Sequence, residues 1–459
     1  MNVRPIQPLA TAREFKCHEM FFSTTDLKGI IRSGNDVFAR VSGFSKAELY
    51  GQPHNIIRHP DMPRAAFALL WTNLKQGLPF AGYVKNMAKD GSYYWVFVVA
   101  VPAGRDHYLS IRFQPSSPLL DRVAALYQQM LGAEHLALAN GGDEADAVAA
   151  GVQVLTAALP ALNFATYDHF SHTALNVEIK ARDTRLSAAG TRLFPAELAG
   201  RDSLATLYGL GVQTYDRVDA LFRQLDGFVE YTSGLQEKAA SVLDTAEIFR
   251  LHALNVNITS QHHGNVGVGV GVVAGFLSDY SRQLTDGTLE LRTHIAEITQ
   301  RTETINARVA MARLQMEMLL YFQAESATQP DAMAAGPMQV LEECFITSTT
   351  QVLAALTQLR DNLPRLVGNQ QNLARTALAI ELAQVQGLTE AARIAQGDTL
   401  RSMFAEFRAK IAATRAQLDN LAEVMEKIGT LSDHSPRQIA SINTATQRMQ
   451  AGFKALAVA

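Results

Sequence analysis

The chain changes character at Pro118, and no other feature constrains its fold as strongly. Up to that point, short runs dense in Val, Ile, Phe, Tyr and Trp are separated by turn residues, as in a strand-rich domain. Beyond it Ala, Leu, Gln and Thr dominate with heptad-like apolar spacing and few β-branched runs, as in long packed helices. At 459 residues the chain exceeds one ordinary domain, and at roughly 150 residues per domain it should hold about three units. The expected architecture is an α+β domain, a five-stranded antiparallel sheet with helices, followed by an all-α coiled-coil or helical-bundle region.

Within the first part, Glu19 to Thr25 reads as a strand, and Asp26-Leu27-Lys28-Gly29 turns the chain into a second strand at Ile30 to Ser33. Asn35 can cap a short helix through Val37, Phe38 and Val41, and Ser45 with Glu48 forms a capping box for the next. Three more strands follow, at Phe80 to Met87, Ser92 to Val101 and His107 to Phe113, turned by Asp90-Gly91 and by Gly104-Arg105-Asp106.

Between the two groups of strands lies QPHNIIRHPDMPRAAFALLW, Gln52 to Trp71. It puts Asn55, Arg58, His59 and Asp61 into a turn bounded by Pro60 and Pro63. A helix follows with Phe67, Leu70, Trp71 and Leu74 on one face. Asp61 is expected to cap that helix, with Pro63 in its first turn. Arginine and a helix start suit phosphate, and Trp and Phe can cover a flat redox-active ring. The residues alone equally allow Arg58 and His59 to satisfy turn carbonyls and Trp71 to be ordinary core.

STTDL (Ser23 to Leu27), the Asn35 to Phe44 stretch, QPHNIIRHPDMPRAAF, the Lys75 to Asn86 stretch and DGSYYWV (Asp90 to Val96) are, in order and spacing, similar to the flavin-binding PAS domain of bacterial aerotaxis receptors. The resemblance covers residues 19–114. It implies a PAS fold, FAD as cofactor, and Arg58, His59 and Asp61 as the residues holding it. Trp71 and Phe80 would line the ring, and Asn86 or Asn35 would supply the amide that senses its protonation. Phe80 stands where that family has a tryptophan, and the last hairpin is shorter than in the family.

The helical part is expected to be broken at Gly141-Gly142, Pro160, Pro195 and Gly200, and again at Pro330 to Pro337, Pro364 and Ser435-Pro436. Within it, Ala253 to Leu277 resembles the hairpin tip of methyl-accepting chemotaxis receptors, with Val218 to Phe249 and Leu284 to Leu320 as arms. The positions at which that family carries charges for kinase and coupling-protein contact are here Thr259, His262, Asn265 and Val268. Ser233, Gln236, Glu237 and Ala240 fit a loose methylation-site spacing but read as a solvated helix face. The segments expected are an N-terminal arm (1–18), the PAS domain (19–114), a helical linker region (115–217), a degenerate signalling hairpin (218–326), a linker (327–337) and a C-terminal helical region (338–459).

Composition narrows the function. A net charge of −3 from 41 basic and 44 acidic residues gives no field for nucleic acid. Cys17 and Cys344 are the only cysteines, a usage that fits a reducing cytoplasm. Leu251 to Ser278 lacks charge but is interrupted by His and Asn, so no membrane span is expected. His262-His263 point in different directions on a helix and complete no metal set. No nucleophile-base pair or nicotinamide fingerprint is visible, so no catalytic residue is assigned. The leading expectation is a soluble, cytoplasmic, non-enzymatic redox or oxygen sensor, a homodimer. The receptor resemblance implies a chemotaxis kinase, coupling protein or intact chemoreceptors as partners, with contacts weakened by the loss of the tip charges at Thr259, His262, Asn265 and Val268. The alternatives are a haem-binding PAS sensor and an adaptor with a cofactor-free PAS domain.

Overall fold

The computed structural model describes residues 6–191, 193–194, 202–328 and 335–458. The chain divides into two compact units. The first combines Met1–Phe222, Glu303–Leu353 and Gln438–Ala459, and the second Arg223–Thr302 with Ala354–Arg437.

The first unit is built on a five-stranded antiparallel sheet: β1 (Met20–Asp26), β2 (Ile31–Gly34), β3 (Phe80–Met87), β4 (Tyr93–Ala103) and β5 (His107–Phe113), in the order β2-β1-β5-β4-β3. Between β2 and β3 lie α1 (Asp36–Ser42), α2 (Lys46–Leu49), a 3-10 turn (His54–Ile57) and α3 (Arg64–Lys75). The two short helices start as their sequences dictate. Asn35 Oδ1 accepts from the Phe38 N–H, and Ser45 with Glu48 closes a capping box.

Asp61 does not cap α3. The residue before that helix is Pro63, which offers no side-chain acceptor, and Asp61 Oδ2 instead takes the Lys85 ammonium at 2.8 Å. The first N–H groups of α3, those of Arg64 and Ala65, are accepted at 2.9 Å by the buried carboxylate of Glu134. Glu134 belongs to α4 (Leu119–Ala139), so the anion at the positive end of this helix comes from a distant stretch of chain.

Alternation sorts the sheet into two faces. Tyr83 points away from α3 and donates at 2.7 Å to Glu178 of α6 (Tyr167–Ala188). That carboxylate also accepts from the Ser116 and Ser117 N–H groups and the Ser117 hydroxyl. On the same face, Tyr127 of α4 donates to the Tyr83 carbonyl and Ser171 of α6 to the Ala81 carbonyl, both at 2.9 Å. The first helices after Pro118 therefore cover the sheet, with α5 (Glu144–Ala158) packed on α3 and α4.

The longest helices are α7 (Asp202–Gln261), α8 (Val268–Thr328), α9 (Ala335–Ala392) and α10 (Asp398–Val458). In the second unit, their four stretches enclose an apolar interior that includes Val242, Phe249, Leu284, Leu291, Leu366, Leu373, Phe404 and Leu418. Phe249 and Phe407 meet with ring centroids 4.7 Å apart, and the buried amides of Gln370 and Gln384 donate to the Leu418 and Phe404 carbonyls. The turn from α7 to α8 needs Gly267, where a Cβ would lie 2.0 Å from the Ser260 carbonyl oxygen. Gln236 and Glu237 face outward, whereas the Ser233 side chain lies outside the described residues.

The breaks at Gly141-Gly142 and Pro160 occur where expected. Those at Pro364 and Pro436 do not: both prolines sit inside continuous helices, and Pro337 lies within α9. A helix-interior proline costs about 3 kcal/mol, which neighbouring buried side chains such as Leu363 and Leu366 can offset. An unexpected break falls instead between α9 and α10, where Gly397 has no room for a Cβ beside the Ala391 carbonyl oxygen. Pro195, Gly200 and the linker core 329–334 lie outside the described residues. Among the described residues, no single helix is long and apolar enough to cross a membrane, although α5 and the chain through α6 pass as a bent pair by length and composition.

Candidate ligand-binding site

The face of the sheet turned toward α3 bounds a cavity of about 330 Å³, at the small end of ligand pockets. Its floor comes from Val84 and Asn86 of β3, Val98 and Ala100 of β4, and Tyr108, Ser110 and Arg112 of β5. These are alternate residues in register, since Val98 lies opposite Arg112 and Ala100 opposite Ser110. The roof is the apolar face of α3, Phe67, Leu70, Trp71 and Leu74. Trp71 meets Tyr108 edge to face at 5.9 Å. It also lies against the β1–β2 turn, where Gly29 has φ +78° and a Cβ would stand 2.9 Å from the indole.

Lys28, His54, Asn55 and Arg58 complete the wall. Arg58 lies over the Phe67 ring at 4.5 Å and donates to the Met62 carbonyl at 3.1 Å. Deeper, the Arg112 guanidinium donates to Ser23 Oγ at 3.1 Å and to His54 Nε2 at 2.6 Å. Burial, and then the Arg112 charge, hold His54 well below the usual imidazole range, so Nε2 is a neutral acceptor. Burial also lowers Arg112, to about 10, leaving it a cation at neutral pH.

Two properties show what such a space can hold. Among the described residues no Asp or Glu lines it, while Lys28, Arg58 and Arg112 do. The Asn86 amide nitrogen is buried in its floor without a hydrogen-bond partner among the described residues, an arrangement that disfavours an empty apolar pocket. A flat ligand with hydrogen-bonding edges and a negatively charged tail fits this donor set.

Of the seven sequence-predicted site residues, Arg58, Trp71 and Asn86 are brought together on the cavity, and an isolated bridge joins the Arg58 and Asn86 backbones. The other four lie elsewhere. Asn35 is spent on structure: its oxygen accepts from Phe22 and Phe38, and its nitrogen donates to the Met20 carbonyl and Glu325. His59 Nδ1 accepts from the Asp61 N–H, and both residues border a separate depression with Lys85, Tyr93 and α4. Burial lowers the His59 pKa, and the Lys85 bond lowers that of Asp61. Phe80 stacks on Tyr167 at 5.9 Å, beneath α6. Sequence reasoning passed over His54 and Arg112. The signal for Arg112 was available, because a charged residue between Ile111 and Phe113 in a strand falls on the face shared with Tyr108 and Ser110.

The PAS fold family matches residues 32–110. The N-terminal part of this chain is a PAS domain. Over 112 residues it is 48% identical to the aerotaxis receptor of Escherichia coli strain K12, an alignment covering 24% of this chain and 22% of that protein. It is also 33% identical over 95 residues to the nitrogen fixation regulatory protein of Klebsiella pneumoniae, covering 20% of this chain and 19% of the relative. The chain thus spans about a fifth of the length of these curated relatives. Among solved structures, a PAS domain from Colwellia psychrerythraea aligns with 21% of this chain and 85% of its own, at 25% identity and a TM-score of 0.18. The family match and the two curated relatives agree on a PAS domain in this part of the chain. Among the described residues, no group of His, Cys, Asp and Glu is arranged to hold a metal ion.

Proposed function

We propose that the PAS domain binds FAD non-covalently and that the chain is a non-enzymatic redox or oxygen sensor reporting through its helices. The observation that carries this reading is the cavity itself: an aromatic roof, cations and no acids among the described lining residues, and a buried amide nitrogen lacking a partner among them. Bound there, FAD would supply reversible electron uptake with a change of protonation on its ring. Trp71 and Phe67 would cover the ring, Asn86 would hydrogen-bond its edge, and Arg58 with Lys28 would face the phosphates. The cavity is too small for the whole dinucleotide, so the ring would be enclosed and the tail left toward the wall. A haem reading is less well supported, because the cavity-lining histidine, His54, has Nε2 engaged by Arg112.

For output, β3 offers a short mechanical path. Asn86 and Val84 face the cavity, while the adjacent Tyr83 faces α6 through Glu178. One turn further along α6, Arg182 is paired with Glu317 of α8 at 2.7 Å, both buried. A change of hydrogen bonding at Asn86 that shifts β3 would bias this connection.

The segmentation stated above, with a degenerate receptor-like hairpin at 218–326, remains our proposal, as do a cytoplasmic location and contact with chemotaxis kinase, coupling protein or intact receptors. The bundle interior of the second unit is closed by helices of one chain, so the homodimer we propose would form on other surfaces. The test is direct. Denatured pure protein should release a flavin that chromatographs as FAD, and protein purified with excess FAD yet colourless would overturn the reading.

A further inference from the structure

Arg112 is the deepest charge in the cavity wall and the least explained by the fold. Its side chain is almost fully buried, yet among the described residues no carboxylate pairs with it. Its hydrogen bonds go to neutral acceptors, Ser23 Oγ, His54 Nε2 and the Ser110 carbonyl. Phe21 and Phe38 lie beside the guanidinium at 5.9 and 5.6 Å. The titratable groups facing it are His54 from the 3-10 turn and Tyr94 from β4, and both are kept neutral by burial. A buried cation is costly unless an anion meets it, and the open direction here is the cavity.

We propose that Arg112 is the charge partner of the bound ring and makes the site prefer the ring in its anionic reduced form. This rests on the FAD reading above. Two electrons from an external low-potential donor and one proton from solvent leave the ring with one added negative charge, which Arg112 would meet in a water-poor site. Arg58 and Lys28 lie nearer the outer wall and would act on the tail instead, so they should govern affinity without moving the ring's electron affinity.

The experiment is spectroelectrochemical titration of the FAD-loaded full chain, with dithionite as the chemical reductant in a parallel run. Arg112→Gln keeps a donor but removes the charge. It should lower the ratio of reduced to oxidised binding at least tenfold, about 30 mV for a two-electron couple. Arg112→Lys should retain most of the wild-type potential, and Arg58→Lys should weaken FAD binding with the potential unchanged. Should Arg112→Gln fail to fold, the wild type decides alone. In mildly acidic buffer its potential should change by about 30 mV per pH unit, one proton per two electrons, where free FAD titrated alongside shows the steeper two-proton slope. A yellow protein with the same potential in Arg112→Gln, or with the slope of free FAD, overturns this inference alone. Protein that stays colourless with FAD overturns the proposed function and this inference together.

Discussion

Arg112 and Arg182 belong to the same unit and are equally withdrawn from water, yet the fold provides for them differently. Arg182 is answered from within: both guanidinium nitrogens reach Glu317, at 2.7 and 3.1 Å, and Nε donates to the Cys17 carbonyl. Among the described residues Arg112 has only neutral partners, with a cavity in front of it. On the outer face of the sheet, then, a buried charge is structural and complete. On the inner face it is held ready by neighbours that leave its charge unanswered. The same contrast runs along β3, where the Tyr83 hydroxyl is satisfied by Glu178 and the Asn86 amide nitrogen is not.

The largest effect is expected at the complete pair. Glu317→Leu strands the Arg182 charge in the interior and should cost about 3–5 kcal/mol in urea unfolding. The double variant Arg182→Met with Glu317→Leu should recover most of that loss. If the single variant cost no more than a surface change, Arg182 would not be the internally answered charge described here.

Asn86→Leu should act on stability with the opposite sign. Removing an amide whose buried nitrogen lacks a partner among the described residues should leave ligand-free stability unchanged or raise it by about 1 kcal/mol, while FAD binding falls. Loss of stability together with loss of binding would mark Asn86 as a structural residue.

The smallest effect concerns pH. Burial and Arg112 lower the His54 pKa, so the unfolded chain binds a proton at this site that the folded chain refuses. Stability from this group is therefore present above the unfolded histidine value and is lost as pH falls through it, by about 0.5–1 kcal/mol between pH 7 and 6. His59 and His172 are lowered in the same direction. The measurement is thus the difference between wild type and His54→Gln in unfolding at the two pH values, and equal slopes would show that His54 protonates freely in the folded protein.

The sequence by itself determined what depends on near neighbours. Short runs dense in β-branched and aromatic residues, bounded by turn residues, placed the strands, with β3 and β5 at their observed limits. The Asn35 cap and the Ser45–Glu48 box started their helices, and the face Phe67, Leu70, Trp71 and Leu74 became the cavity roof. Each of these follows from geometry repeated within a few residues. Beyond Arg58 and Asn86, the polar groups that meet the cavity follow from tertiary packing. Asp61 gave way to Glu134 at the head of α3 because the anion nearest in space is not the nearest in sequence, and Asp61 had Lys85 within reach. Asn35 was consumed by four bonds, and Phe80 was covered by Tyr167 from α6. Pro364 stays inside a helix, where packing of its flanking leucines offsets the lost hydrogen bond. Arg112 faces the cavity because β5 pairs with β4 in the register that sets it opposite Val98. That register is fixed by contacts between strands distant from α3 and from the turn that bears Arg58, so alternation along β5 could set Arg112 on the face of Tyr108 and Ser110 but could not bring it to the same cavity as Arg58.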